Sequence, residues 1–196
     1  MTNKMTCLLI AGAALAAGSC STHNQYSSLE IQKLVPPTTS EALDAAGAQE
    51  SCAYSTATAE YTFQTFNVTR DFYIGIVVVN ELPNNANVAL GRLNTNDFIA
   101  ERAVTTYEST DGTNINIAQQ VTPVQGVVPA GGTAATAGVL IPAAQAAQLA
   151  NVTSVRLHTH LEGRLLDGST VSTNEYMPIA LPTASSVDTS DCVSAQ

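Results

Sequence analysis

The stretch Val155-Arg156-Leu157-His158-Thr159-His160-Leu161-Glu162 decides the fold class. Val155, Leu157, Thr159 and Leu161 alternate with Arg156, His158, His160 and Glu162. A period of two sends successive side chains to opposite faces of a β-strand, so one face is predicted to enter a core and the other to meet water. Asp167-Gly168 then supplies a turn, and Val171 to Leu181 is predicted to return as the second strand of a long hairpin.

Working outward, the same chemistry recurs along the chain. Phe72 to Val79 is the strongest apolar run and is rich in β-branched residues, which predicts a central strand buried on both faces, with Gly75 marking a bulge or a close backbone approach. Leu29 to Val35 alternates and is stopped by Pro36-Pro37. Thr38 to Ser51 reads as a loop with a helical turn at Glu41 to Ala46. After Glu60, Tyr61 and Phe63 share one parity whereas Phe66 and Val68 share the other, which predicts a bulge or a break near Thr65. Asp97 to Glu108 is predicted to be a strand closing on an Asp111-Gly112 hairpin turn. Val121 to Val128 and Ala134 to Ile141 are two more around Gly131-Gly132. Pro142 opens Ala143 to Ala150, the best helix candidate outside the N-terminal twenty residues, with proline at the favoured first position.

Roughly eight strands, close turns and one short helix predict an all-β fold, an antiparallel β-sandwich, with an up-and-down barrel as the competitor. The pattern resembles the general immunoglobulin-like sandwich. The chain has no tryptophan and no Cys-Trp-Cys pattern, so the resemblance does not extend to antibody domains.

The N-terminus carries a different signal. Lys4 precedes an apolar run from Cys7 to Ala17, which is followed by Gly18-Ser19-Cys20. A charged start, a short apolar run and small residues at a cut make a secretory signal, and the run falls short of the roughly 20 residues that a membrane span needs. Ala17-Gly18-Ser19-Cys20 resembles the lipobox of bacterial lipoproteins, a likeness that covers about a tenth of the chain. It implies that the Cys20 thiol is acylated and becomes the mature N-terminus, anchored in a lipid bilayer. Ser21 after it resembles the outer-membrane sorting class. The competing reading is ordinary cleavage after Ala14-Leu15-Ala16. That would strand three cysteines, Cys20, Cys52 and Cys192, in an oxidising compartment, whereas lipidation of Cys20 leaves Cys52 and Cys192 as a disulfide pair. The expected organisation is a signal peptide over 1–19, a lipidated tether over 20–28 and a single β-sandwich domain over 29–196.

Seven Lys and Arg against sixteen Asp and Glu give a net charge of −9. A surface of that sign disfavours nucleic acid, so no nucleic-acid partner is expected. His158, His160 and Glu162 are the candidate metal ligands, since residues two apart on a strand share a face and imidazoles with a carboxylate suit zinc, copper or iron. The trio looks like the H-x-H of cupins, but Glu162 comes too soon after it. Copper/zinc superoxide dismutases need more histidines than the three present. The alternation favours instead a solvated face formed by Arg156, His158, His160, Glu162 and Arg164. Cys192 as a blue-copper ligand is rejected, because only Val193 to Gln196 follow it. No G-x-S-x-G elbow or phosphate-binding glycine loop occurs. No catalytic residue, metal or cofactor is therefore expected. The reading is a non-catalytic cell-envelope lipoprotein, a binding or structural module whose loops Pro83 to Gly91 and Thr110 to Asn114 could meet a protein or glycan. The alternative is a metal-binding protein or metalloenzyme using His158, His160 and Glu162.

Overall fold

The computed structural model describes residues 28–36, 38–40, 51–58, 60, 64–69, 71–86 and 94–183. Strand β1 is Leu29–Val35, β2 Thr38–Ser40, β3 Ser51–Ala53, β4 Gln64–Asn67, β5 Phe72–Asn80 and β6 Phe98–Ser109. Strand β7 is Gln120–Val128, β8 Gly132–Ile141, β9 Val155–Leu165, β10 Thr170–Ser172 and β11 Ile179–Thr183, with helix α1 at Ala143–Gln148. Eight of the described strands follow one hydrogen-bonded path, β1-β5-β8-β7-β6-β9-β11-β4, with β10 beside β9 and β2 paired to β3 in a separate sheet. Among the described strands, every pairing is antiparallel except that of β11 with β4.

The alternation read from the sequence is what closes this sheet around a core. Leu29, Ile31, Ile74 and Ile76 from one half of the path share a buried cluster with Phe98, Val124, Leu157 and Leu161 from the other, so the sheet turns back over itself. The result is an all-β domain, mostly antiparallel and compatible with a β-sandwich. Its corner lies between β7 and β8, whose ladder contains only the pairs Val124↔Gly138 and Gln125↔Ala137. Nearby side chains satisfy carbonyls there: the Thr122 hydroxyl donates to Val139 O at 2.6 Å and the Tyr107 hydroxyl to Leu140 O at 2.9 Å. A buried carbonyl without a partner would cost about 1–3 kcal/mol, so these bonds stabilise the bend.

Register also defines two poles. At one, Leu29 pairs with Asn80, Asn80 with Gly132, Val128 with Phe98, and Phe98 with Leu165. The Asn80 side chain gathers this end, donating to Asn96 O at 2.8 Å and Val128 O at 3.2 Å while accepting from Leu82 N. At the other, Phe72 pairs with Ile141 and Ser109 with Val155. Helix α1 follows there, its first amide (Ala143 N) bonded to the Asp71 carboxylate at 2.7 Å.

Three expectations are corrected. Asp111-Gly112 does turn the chain, with Gly112 at φ 80, but it does not make a tight hairpin. The ladder resumes only at Gln120, because Ile115 and Ile117 pack against the core and draw the intervening segment across it. Val171 to Leu181 is not one strand: it splits into β10 and β11. Thr173 breaks it by using its hydroxyl in place of a backbone carbonyl to accept from Leu161 N at 2.9 Å, and Pro178 lacks a ladder donor. Finally, Thr38 to Ser51 is not wholly loop, since Thr38, Thr39 and Ser40 pair with Ala53, Cys52 and Ser51. The helical turn expected at 41–46 lies outside the described residues.

Candidate functional site

The polar face of β9 is the richest cluster of chemistry-bearing side chains the sequence singled out. Val155, Leu157, Thr159, Leu161 and Leu165 are buried, whereas Arg156, His158, His160 and Glu162 are half-buried and Arg164 is exposed. The predicted division of faces therefore holds along the whole strand. Opposite it, β6 has a bulge between Ala100 and Arg102, where Glu101 is the extra residue and both Glu101 and Arg102 are exposed. One strand thereby presents an acid and a base in succession to the outer face of β9.

The outer face pairs these charges across the ladder. Arg164 Nε lies 3.0 Å from Glu101, and Arg102 Nε is bonded to Glu162, whose other oxygen is 3.4 Å from His160 Nε2. Farther along, Glu108 Oε2 takes both Arg156 Nη1 at 3.3 Å and His158 Nε2 at 3.2 Å. His158 Nδ1 is 3.5 Å from Glu175, in the irregular segment between β10 and β11. The hydrogen bond with His158 is the main reason the Glu108 carboxyl sits below its ordinary range, with Arg156 adding to it. For Glu162, burial pushes the carboxyl up, but Arg102 and His160 together outweigh it and the net direction is down.

His158 and His160 share a face, yet they do not converge with Glu162. Glu162 is engaged by Arg102 and His160, while His158 bridges Glu108 and Glu175. Among the described residues, no three His, Cys, Asp or Glu side chains form a group able to hold a metal ion. The arrangement is a ladder of solvent-accessible ion pairs, a kind that contributes little to stability, and it positions no nucleophile beside a base. Sequence reasoning missed Glu101, Arg102, Glu108 and Glu175 as its members, because register and the bulge, not spacing along the chain, bring them to the outer face of β9.

Of the other expected residues, Cys52 lies in β3 opposite Thr39. Cys20 and Cys192 lie outside the described residues. The two candidate contact loops are braced by hydrogen bonds to neighbouring segments. In the first, of which 83–86 are described, the Asn85 side chain donates to Thr95 Oγ1 at 2.7 Å and accepts from Thr95 N at 2.8 Å. The Asn96 amide reaches Pro83 O at 2.8 Å. In the second, Asp111 accepts from the Ser109 hydroxyl, from Thr113 N at 2.9 Å and from Thr153 N at 2.9 Å. These bonds, that from Ser109 foremost, hold its carboxyl far below the usual range. A search against models of known protein families finds none that matches the chain, and no curated protein matches it.

Proposed function

We propose that this chain is a non-catalytic lipoprotein of the bacterial cell envelope, sorted to the outer membrane and anchored through acylated Cys20. Its β-rich body serves as a binding or structural module toward a protein or glycan. The observation that carries the reading is Ala17-Gly18-Ser19-Cys20 at the end of a short apolar run. Several acyl chains, each contributing about 0.8 kcal/mol per buried CH₂, would hold the protein at a bilayer without a membrane-spanning helix.

The outer face of β6 and β9 carries paired charges. Each of its histidines is occupied by a carboxylate, and its arginines are spent on neighbouring glutamates. An immunoglobulin-like sandwich clasped by a Cys52–Cys192 disulfide completes the proposal. Its support is the cysteine count: with Cys7 removed and Cys20 acylated, Cys52 and Cys192 are the two that are left.

Fractionation and intact-mass measurement test the anchor. Wild type should be membrane-bound and carry fatty acyl mass, and Cys20→Ala should be released without it. Membrane-bound Cys20→Ala would refute the anchor. Stoichiometric metal in untagged protein, lost when His158 and His160 are both changed, would replace the reading with a metal-binding one.

A further inference from the structure

Resting on the lipoprotein reading, the geometry points to a fixed orientation of the body. The pole where β1 begins faces the lipid surface, and the pole bearing α1 and the Asp111 loop faces away from it. Eight residues, Ser21 to Ser28, separate Cys20 from Leu29. Even fully extended, a segment of that length spans about 28 Å. The 12-residue strand β6 alone is about 36 Å long. The tether is therefore too short to run the length of the body and bring the second pole to the bilayer.

Entry at the first pole is fixed by hydrogen bonds on both sides of the first strand. Ser28 O accepts from Glu81 N at 2.7 Å and Leu29 O from Asn174 N at 3.0 Å. This pole also carries the tip of the β9–β10 hairpin, where Leu166 is half exposed beside Asp167 and its amide donates to Asp97 O at 3.1 Å. The hairpin tip and the Asn94–Asp97 turn are the elements held nearest the headgroups. The Asp111 loop, the segment after α1 and the α1 helix are held farthest from them. The second pole is consequently the one open to partners within the envelope, which selects the Thr110 to Asn114 loop over the Pro83 to Gly91 loop as the partner-facing one.

Energy transfer from the protein to the membrane tests this. A donor fluorophore is installed through a reactive non-natural side chain at Leu166 or at Gln148 of the full lipidated chain. The protein is then reconstituted in phosphatidylethanolamine and phosphatidylglycerol vesicles bearing headgroup acceptors. The expected result is severalfold faster transfer from position 166 than from position 148. Inserting about 20 Gly/Ser residues before Ser27, which leaves the Ser28 contact in place, should erase the difference, because a Gly/Ser-rich linker of that length spans about 30 Å. Equal transfer from the two positions on vesicle-bound protein with the native tether overturns the orientation and leaves the anchor standing. Protein that lacks acyl mass and does not bind vesicles overturns both.

Discussion

At the scale of single residues, Asp111 shows how a side chain predicted only to turn the chain comes to join two loops. It collects donors from Ser109 and Thr113 on its own loop and from Thr153 on the segment before β9. These donors favour the charged form, so the folded state holds this carboxyl far below its ordinary value, and the sign of the pH dependence follows. The stabilisation is present above the unfolded value of about 3.9 and declines as pH falls below it toward the folded value. Urea midpoints measured at pH 7 and pH 3 should therefore drop more for wild type than for Asp111→Asn, the two curves converging in acid. Glu108, Glu162 and Asp167 are lowered too and act in the same direction, but they are common to both proteins, so the difference isolates Asp111. Parallel curves would show that the carboxylate does not fasten the loops in solution.

Among the elements, β6 and β9 make the broadest pairing, and its register depends on a glycine. A Cβ at Gly163 would lie 2.0 Å from Ile99 O and 2.9 Å from the Phe98 ring, where the β6 bulge folds toward β9. The nearer obstacle is backbone and cannot swing away. Gly163→Ala should thus cost about 3 kcal/mol, read as a lower urea midpoint at unchanged slope. A loss smaller than about 0.5 kcal/mol, the scale of ordinary surface substitutions, would place the bulge elsewhere. The strands themselves were legible where one face is apolar over several residues: Leu29–Val35 coincides with its prediction, and Phe72–Asn80 with one residue added. Gly75 was legible as a close approach, against Tyr54. Helix α1 begins after Pro142 as expected, but the proline stands at its N-cap and not at the first helical position, and the helix ends at Gln148, two residues short of the expected Ala150. Legibility ended where tertiary contacts override local pattern. The turn at Asp111-Gly112 looked like a hairpin until Ile115 and Ile117 were claimed by the core, and the parallel pairing of β4 with β11 joins residues more than a hundred positions apart. The histidine face was legible as an amphipathic strand, while its ion-pair partners came from register alone.

For the molecule as a whole, the chain enters the body at one pole, and its last described strand, β11, runs from the Arg156 end of β9 along β4. Cys52 in β3 stands beside the segment that packs on Gly75, and nine residues lead from Thr183 to Cys192, enough chain to span about 30 Å. A bond between them would close a loop of 140 residues, counted as 192 − 52. In the chain-entropy model that loop is worth about 5 kcal/mol, with native-state strain subtracting from it. Domains of this size are stable by only about 5–15 kcal/mol, so such a clasp would decide whether the body stays folded in the envelope. Protein exported to an oxidising compartment should therefore lose a large share of its stability on reduction, down to the level of Cys192→Ser. The variant itself should be indifferent to reductant, which separates the bond from any packing role of the cysteine. Wild type that unfolds at the same urea concentration with and without reductant, and reacts with two equivalents of thiol reagent, would remove the clasp and leave the sheet to stand on its buried core alone.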